Sequence, residues 1–168
     1  AEPLPGTEDA YSVHFSPDGE FVAFFTQPGG RLKKVPVRGG SPVTLGEVGS
    51  PFSATWGEDG FIVFSDGNGL VRVPAAGGET EVVSPRAVGE QYRGFPYIFP
   101  GGKAALFNHS DQPELSNTTL SLLLLETGDV RPLLPEAVLP RYTPTGHLVY
   151  GQQGRLMAVP FDLDRLEI

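Results

Sequence analysis

Three histidines, His14, His109 and His147, are the first side chains on which chemistry would draw. They stand in three separate segments with neither His-x-His nor His-Glu-x-x-His spacing, so a metal site would need three distant strand ends to meet. The chain has no cysteine, which removes thiolate nucleophiles, thiolate-held metals and disulfides. A Ser-His-Asp triad would have no Gly-x-Ser-x-Gly elbow to carry its nucleophile. Oxygens two residues apart occur at Asp66/Asn68 and Asp162/Asp164. A calcium loop needs about six oxygen ligands and a closing glutamate, so both pairs read as turn chemistry. No catalytic residue, cofactor or metal is predicted.

The elements that would position any site are short. Twenty-two Gly and 17 Pro are far above average usage, yet 39% of residues are hydrophobic, so the chain is rich in turns without being disordered. One domain, or a piece of a larger one, fits 168 residues. Gly or Pro interrupts almost every window of ten, and no segment longer than a few residues keeps apolar residues at helical spacing. The class is all-β. Twelve basic against 20 acidic residues give a net charge of -8, with no basic run longer than Lys33-Lys34, which argues against a nucleic-acid partner. The longest apolar run, Leu122 to Leu125, is too short to insert across a bilayer. The chain opens on Ala1 without an initiator Met, which fits a processed N-terminus or a longer parent.

Self-similarity organises these pieces. FSPDGEFVAFF at Phe15 is echoed by WGEDGFIVF at Trp56, IFPGGKAALF at Ile98 and YTPTGHLVY at Tyr142, with turn glycines Gly19, Gly60, Gly102 and Gly146 spaced 41, 42 and 44 residues apart. A second element follows each echo: GRLKKVPVRGG, NGLVRVPAAGG, TTLSLLLLETGD and GRLMAVPFDLD. Three are followed by a third, SPVTLGE, ETEVVS or DVRPLLPE. A period near 42 residues holding about four strands is the size of one propeller blade. FVAFF, FIVF, AALF and HLVY are continuous apolar runs, which suits strands covered on both faces.

The predicted fold is a β-propeller of four-stranded antiparallel blades, about four of them, over repeats 11–52, 53–95, 96–138 and 139–168. Residues 1–10, AEPLPGTEDA, resemble the strand that ends each repeat and would complete the last blade. Four blades is the lower limit for closure. The chain would therefore close alone, close with a second copy as a homo-oligomer, or form part of a larger ring.

Within this frame Ser16-Pro17-Asp18-Gly19 is a type I turn between inner strands, because Pro17 presets φ and Gly19 takes the left-handed position. The acid is kept only in some echoes, whereas the glycine is in all of them. Segments leading into the innermost strands, GEQYRGFPY and LPRYTP, carry Glu90, Tyr92, Arg93 and Arg141, which would gather at one mouth of the central channel. Aromatic and Arg side chains there favour binding. Tyr142, at the aromatic position of its repeat, reads as packing. Asn108-His109-Ser110 and Asn117-Thr118-Thr119 match the glycosylation pattern, but two such triplets are unremarkable in a chain of this size.

FSPDGEFVAFF, GRLKKVPVRGGSP, GLVRVPAAGGETEVV and GRLMAVPFDLDRLEI are similar to the TolB-like, WD-repeat-like β-propellers of bacteria, above all those C-terminal to the kinase domain of bacterial serine/threonine protein kinases. The resemblance covers nearly the whole chain. It implies a non-catalytic sensor or interaction module, often periplasmic or otherwise extracytoplasmic, binding a protein or small ligand. Family rings usually have six or seven blades, so four imply a fragment or an unusual oligomer. No kinase signature is present, so this chain itself is not expected to phosphorylate. Two rivals remain: an accessory gating propeller of a prolyl-oligopeptidase-like serine hydrolase, and a propeller lyase or glycosidase acting through its channel.

Overall fold

Four consecutive antiparallel meanders follow from the repeated pattern of turn glycine and apolar run. The computed structural model describes residues 2–49, 51–112 and 117–168. Sheet 1 holds β1 (Ala10–Phe15), β2 (Phe21–Thr26), β3 (Arg31–Pro36) and β4 (Val43–Glu47). Sheet 2 holds β5 (Ala54–Trp56), β6 (Phe61–Ser65), β7 (Gly69–Pro74) and β8 (Glu81–Pro85). Sheet 3 holds β9 (Tyr92–Ile98), β10 (Ala104–Ser110), β11 (Thr119–Leu124) and β12 (Val130–Pro135). Sheet 4 has three strands, β13 (Val138–Thr143), β14 (His147–Gln152) and β15 (Arg155–Pro160). The sheets are propeller blades, and no helix occurs among the described residues.

The hairpin between the first two strands of each sheet is the same device four times. Gly19, Gly60, Gly102 and Gly146 have φ of 71°, 81°, 69° and 77°. Their N–H groups donate to the carbonyls of Ser16, Gly57, Phe99 and Thr143. Asp18 accepts from the Ser16 hydroxyl at 2.5 Å and the Glu20 N–H at 2.9 Å. The Ser16 hydrogen bond, then that from Glu20, holds its carboxyl below the ordinary range. Asp18 is a turn staple.

Three hydrophobic clusters fill the three gaps between successive sheets. Phe25 and Leu32 of sheet 1 meet Ile62 and Phe64 of sheet 2, the two Phe rings edge-on at 5.8 Å. Val63 and Leu70 turn to the other face of sheet 2 against Ala105 and Phe107 of sheet 3. Leu106 and Leu120 on the far face of sheet 3 pack against Leu148 and Tyr150, and Phe99 stacks on Phe161 at 5.0 Å. Alternate residues of β6 and β10 thus serve opposite gaps, which is why their runs are continuously apolar. Among the described residues no such cluster joins sheet 4 to sheet 1, and the sheets form an arc rather than a closed ring.

Two sequence expectations change at the ends of that arc. HLVY in β14 is buried only at Leu148 and Tyr150, with Val149 half-buried, because sheet 4 has a neighbour on one side only. The closing strand expected from residues 1–10 is not formed: residues 2–9 make turns, and β15 pairs with β14 alone. Pro3 and Pro5 have no N–H for a ladder, Thr7 and Glu8 bond locally, and Gly6 lies beside Pro42, just before β4. Ala1 lies outside the described residues. After β15 the chain turns back toward sheet 3, where Arg131 donates to the Leu166 carbonyl.

The empty fourth position leaves a mark on one glycine. Gly30 and Gly154 precede matching strands, GRLKKVP and GRLMAVP, and both have positive φ, 50° and 73°. A Cβ on Gly30 would lie 2.3 Å from the Val48 carbonyl oxygen, just beyond β4, whereas one on Gly154 meets nothing within 4 Å. Gly154→Ala should cost only the left-handed strain, about 1–2 kcal/mol. Gly30→Ala should cost roughly 1–3 kcal/mol more from the clash with backbone. Urea unfolding midpoints of the two variants check this order.

Candidate functional site

The innermost strands of the four sheets, β1, β5, β9 and β13, each place one side chain at the same level. Counting back five residues from each turn glycine gives His14, Thr55, Tyr97 and Arg141. All four line one cavity of about 240 Å³, walled further by Phe15 and Trp56. This is the channel at the hub of the arc. Arg141 was expected there; His14, Thr55 and Tyr97 were not, although the five-residue offset from the glycines was readable in the repeat.

A backbone irregularity precedes three of the four. In β1, β9 and β13 the ladder slips between Tyr11 and His14, between Gly94 and Tyr97, and between Val138 and Arg141. Two residues there face one on the partner strand, which makes a β-bulge. Ser12, Phe95 and Leu139, each two positions before the channel residue, all have φ of 52°. A non-glycine residue in that region is held against a cost of about 1–3 kcal/mol. Side chains of the preceding sheet stabilise two of the bulges. The Phe95 N–H donates to Ser53 Oγ at 2.9 Å, and the Leu139 N–H donates to Asn108 Oδ1 at 3.2 Å. Asn108, fully buried in β10, also donates to the Ala137 carbonyl at 2.6 Å, so a residue of the glycosylation pattern serves as an internal brace.

The cavity is cationic without a counter-ion. The Arg141 guanidinium lies 5.4 Å from the Tyr97 ring centre and donates one N–H to the Pro140 carbonyl at 2.8 Å. No carboxylate pairs with it among the described residues. The Tyr97 hydroxyl donates to the Tyr142 carbonyl at 3.2 Å. Burial, then the charge of Arg141, pushes the His14 imidazole down to about 4, so it is neutral at pH 7. Its Nε2 meets Ser12 Oγ at 2.9 Å. No carboxylate orients the opposite ring nitrogen of His14 among the described residues; a serine, a histidine and a carboxylate do line up at Ser121, His109 and Glu90, with His109 Nε2 2.9 Å from Ser121 Oγ and Nδ1 3.1 Å from Glu90, but Ser121 is fully buried.

The other predicted site residues separate from Arg141. Glu90 and Arg93 are buried and spent on each other: Arg93 Nε and Nη2 donate to the two Glu90 oxygens at 2.9 and 3.1 Å. Arg93 also donates to Ser84 Oγ and lies 4.7 Å from the Phe107 ring centre. Glu90 further accepts from the Ala87 N–H and lies 3.1 Å from His109 Nδ1. Burial is the largest of the causes that lower His109. This network ties sheet 2 to sheet 3. Tyr92 packs between Phe52 and Phe95, its hydroxyl is buried with no partner, and burial raises its pKa. His147 Nδ1–H donates locally to the Thr145 carbonyl at 2.9 Å. Asp66 accepts from the Asn68 N–H, and Asp162 from the Asp164 and Arg165 N–H groups, which is turn chemistry. Among the described residues no three His, Asp or Glu side chains converge as a metal site would require.

The architecture has close counterparts among solved structures. TolB from Acinetobacter baumannii superposes with a TM-score of 0.70 at 18% identity, over 89% of this chain and 40% of that one. The fold is that of a β-propeller. Oligogalacturonate lyase in complex with manganese matches at 0.67 and 13% identity, over 94% of this chain and 51% of that one. Puromycin hydrolase matches at 0.61 and 18% identity, over 92% and 27%. This chain thus spans well under two thirds of each counterpart, and such identities establish the fold alone. No protein-family model matches the sequence, and no curated protein matches it.

The Glu90–Arg93 pair generates a stability prediction. Arg93→Met leaves a carboxylate buried without its partner and should cost about 3–5 kcal/mol. The double variant Glu90→Gln, Arg93→Met should recover part of that loss. Urea denaturation of the three proteins measures both effects.

Proposed function

We propose that the chain is a non-catalytic propeller module that binds a protein or small ligand in the channel formed by β1, β5, β9 and β13. The observation behind this reading is the single cavity into which every inner strand sends one polar or aromatic side chain, His14, Thr55, Tyr97 and Arg141. Pockets with a few convergent polar groups on a rigid scaffold are the usual form of a binding site. Likeness to TolB structures favours a TolB-like protein in an extracytoplasmic setting. The kinase-linked sensor role rests on the sequence phrases alone. The unpaired edge of β15 favours completion of the ring, by further blades of a longer parent or by a second copy.

Likeness to puromycin hydrolase supports a second reading, an accessory propeller beside a serine hydrolase domain. A Gly-x-Ser-x-Gly segment adjoining this one in the parent protein would favour it over the first.

Trp56 is the only tryptophan and stands in the cavity wall, so its emission reports occupancy. A peptide and metabolite library read on Trp56 should yield saturable ligands that mass spectrometry finds chemically intact. Tyr97→Ala should weaken them about tenfold, as loss of an aromatic anchor does. Turnover of the ligands, or indifference to Tyr97→Ala, would count against a non-catalytic channel site.

A further inference from the structure

We propose that the hub cavity is a carboxylate site: Arg141 takes the two oxygens of a ligand carboxylate, His14 and Thr55 flank them, and Trp56 and Tyr97 hold its apolar body. The assignment rests on the binding role proposed above and names the class of ligand. Among the described residues Arg141 is the one charged side chain lining the cavity, in a chain whose net charge is -8. Its planar fork has five N–H donors, of which one goes to the Pro140 carbonyl, and Tyr97 covers a face of the group. That leaves N–H groups in the fork geometry that matches a carboxylate bidentately. Thr55 offers a hydroxyl donor in the same wall. About 240 Å³ holds a small acid or the last residue of a peptide, not a folded partner.

His14 adds a dependence on pH. The groups facing it are Ser12 on its own strand, Phe25 of β2, and Thr55, Tyr97 and Arg141 across the cavity; Arg141 alone is charged. Burial and the Arg141 charge keep the free imidazole neutral at pH 7. A bound carboxylate offsets that charge and favours the imidazolium, so binding takes up a proton and tightens as pH falls from 7.5 to 5.5.

The probes are phenylacetate and Gly-Gly-Phe, each compared with its neutral amide, titrated against the full chain on Trp56 emission. Both acids should bind at least tenfold more tightly than their amides, and more tightly at pH 5.5 than at 7.5. A preference for phenylacetate points to free acids, and one for Gly-Gly-Phe to peptide C-termini. Arg141→Gln should abolish the preference for acid over amide, Arg141→Lys should keep part of it, and His14→Gln should flatten the pH dependence. Arg141 is exposed, so its variants should keep the wild-type urea midpoint. Equal binding of acid and amide, or a preference that survives Arg141→Gln, overturns the carboxylate assignment and leaves the channel reading standing. Silence of Trp56 toward these probes and toward the whole library overturns both.

Discussion

The hub of this molecule depends on three β-bulges. At Ser12, Phe95 and Leu139 an L-residue is held at φ of 52°, and in each case the side chain two positions on enters the channel. The bulge bends each of these strands just before its channel residue, whereas β5, whose ladder with β6 is regular, sends Thr55 into the same channel without one. The strain is offset from outside the strand. Ser53, just before β5, and Asn108 of β10 accept the N–H groups of Phe95 and Leu139, so each bulge is braced from the side of the preceding sheet. Contacts between sheets therefore hold the inner strands at the hub. His14 and Arg141, 127 residues apart, share a cavity because each intervening interface keeps its neighbour in place.

Those interfaces are centred on hydrophobic clusters and use both faces of the central strands. Phe64 and Ile62 close the gap toward sheet 1 while Val63 closes the one toward sheet 3. The Glu90–Arg93 pair, with Ser84 and His109, adds a polar bolt across the second gap, and its members are too committed to one another to meet a ligand. Burial fades where the arc runs out. In β15, Leu156 and Met157 are exposed, and no fourth strand covers the sheet edge among the described residues.

The sequence made the fold legible because the repeat is carried by turn glycines. Gly19, Gly60, Gly102 and Gly146 need the left-handed region, and their spacing alone places the hairpins. The site was only partly legible. Arg141 stood out as an Arg before an aromatic in an inner strand, whereas His14, Thr55 and Tyr97 share no residue type, and only their equal distance from the glycines relates them. The bulges left no signal, since Ser12, Phe95 and Leu139 have nothing in common chemically and are not glycine. Glu90 and Arg93 were misleading for a physical reason: charged residues beside an inner strand signal a ligand or an internal ion pair equally well, and only burial separates the two. The missing closing strand was hidden by similarity of composition, because AEPLPGTED shares its prolines and acids with true fourth strands but not their pairing.

Convergence of the first and last sheets on one cavity is the central claim, and the most direct measurement is a proton NMR titration of His14. The imidazole should titrate near 4, and its midpoint should rise in Arg141→Gln as the facing charge is removed. A midpoint near the ordinary 6.5 that does not respond to residue 141 would contradict the shared hub.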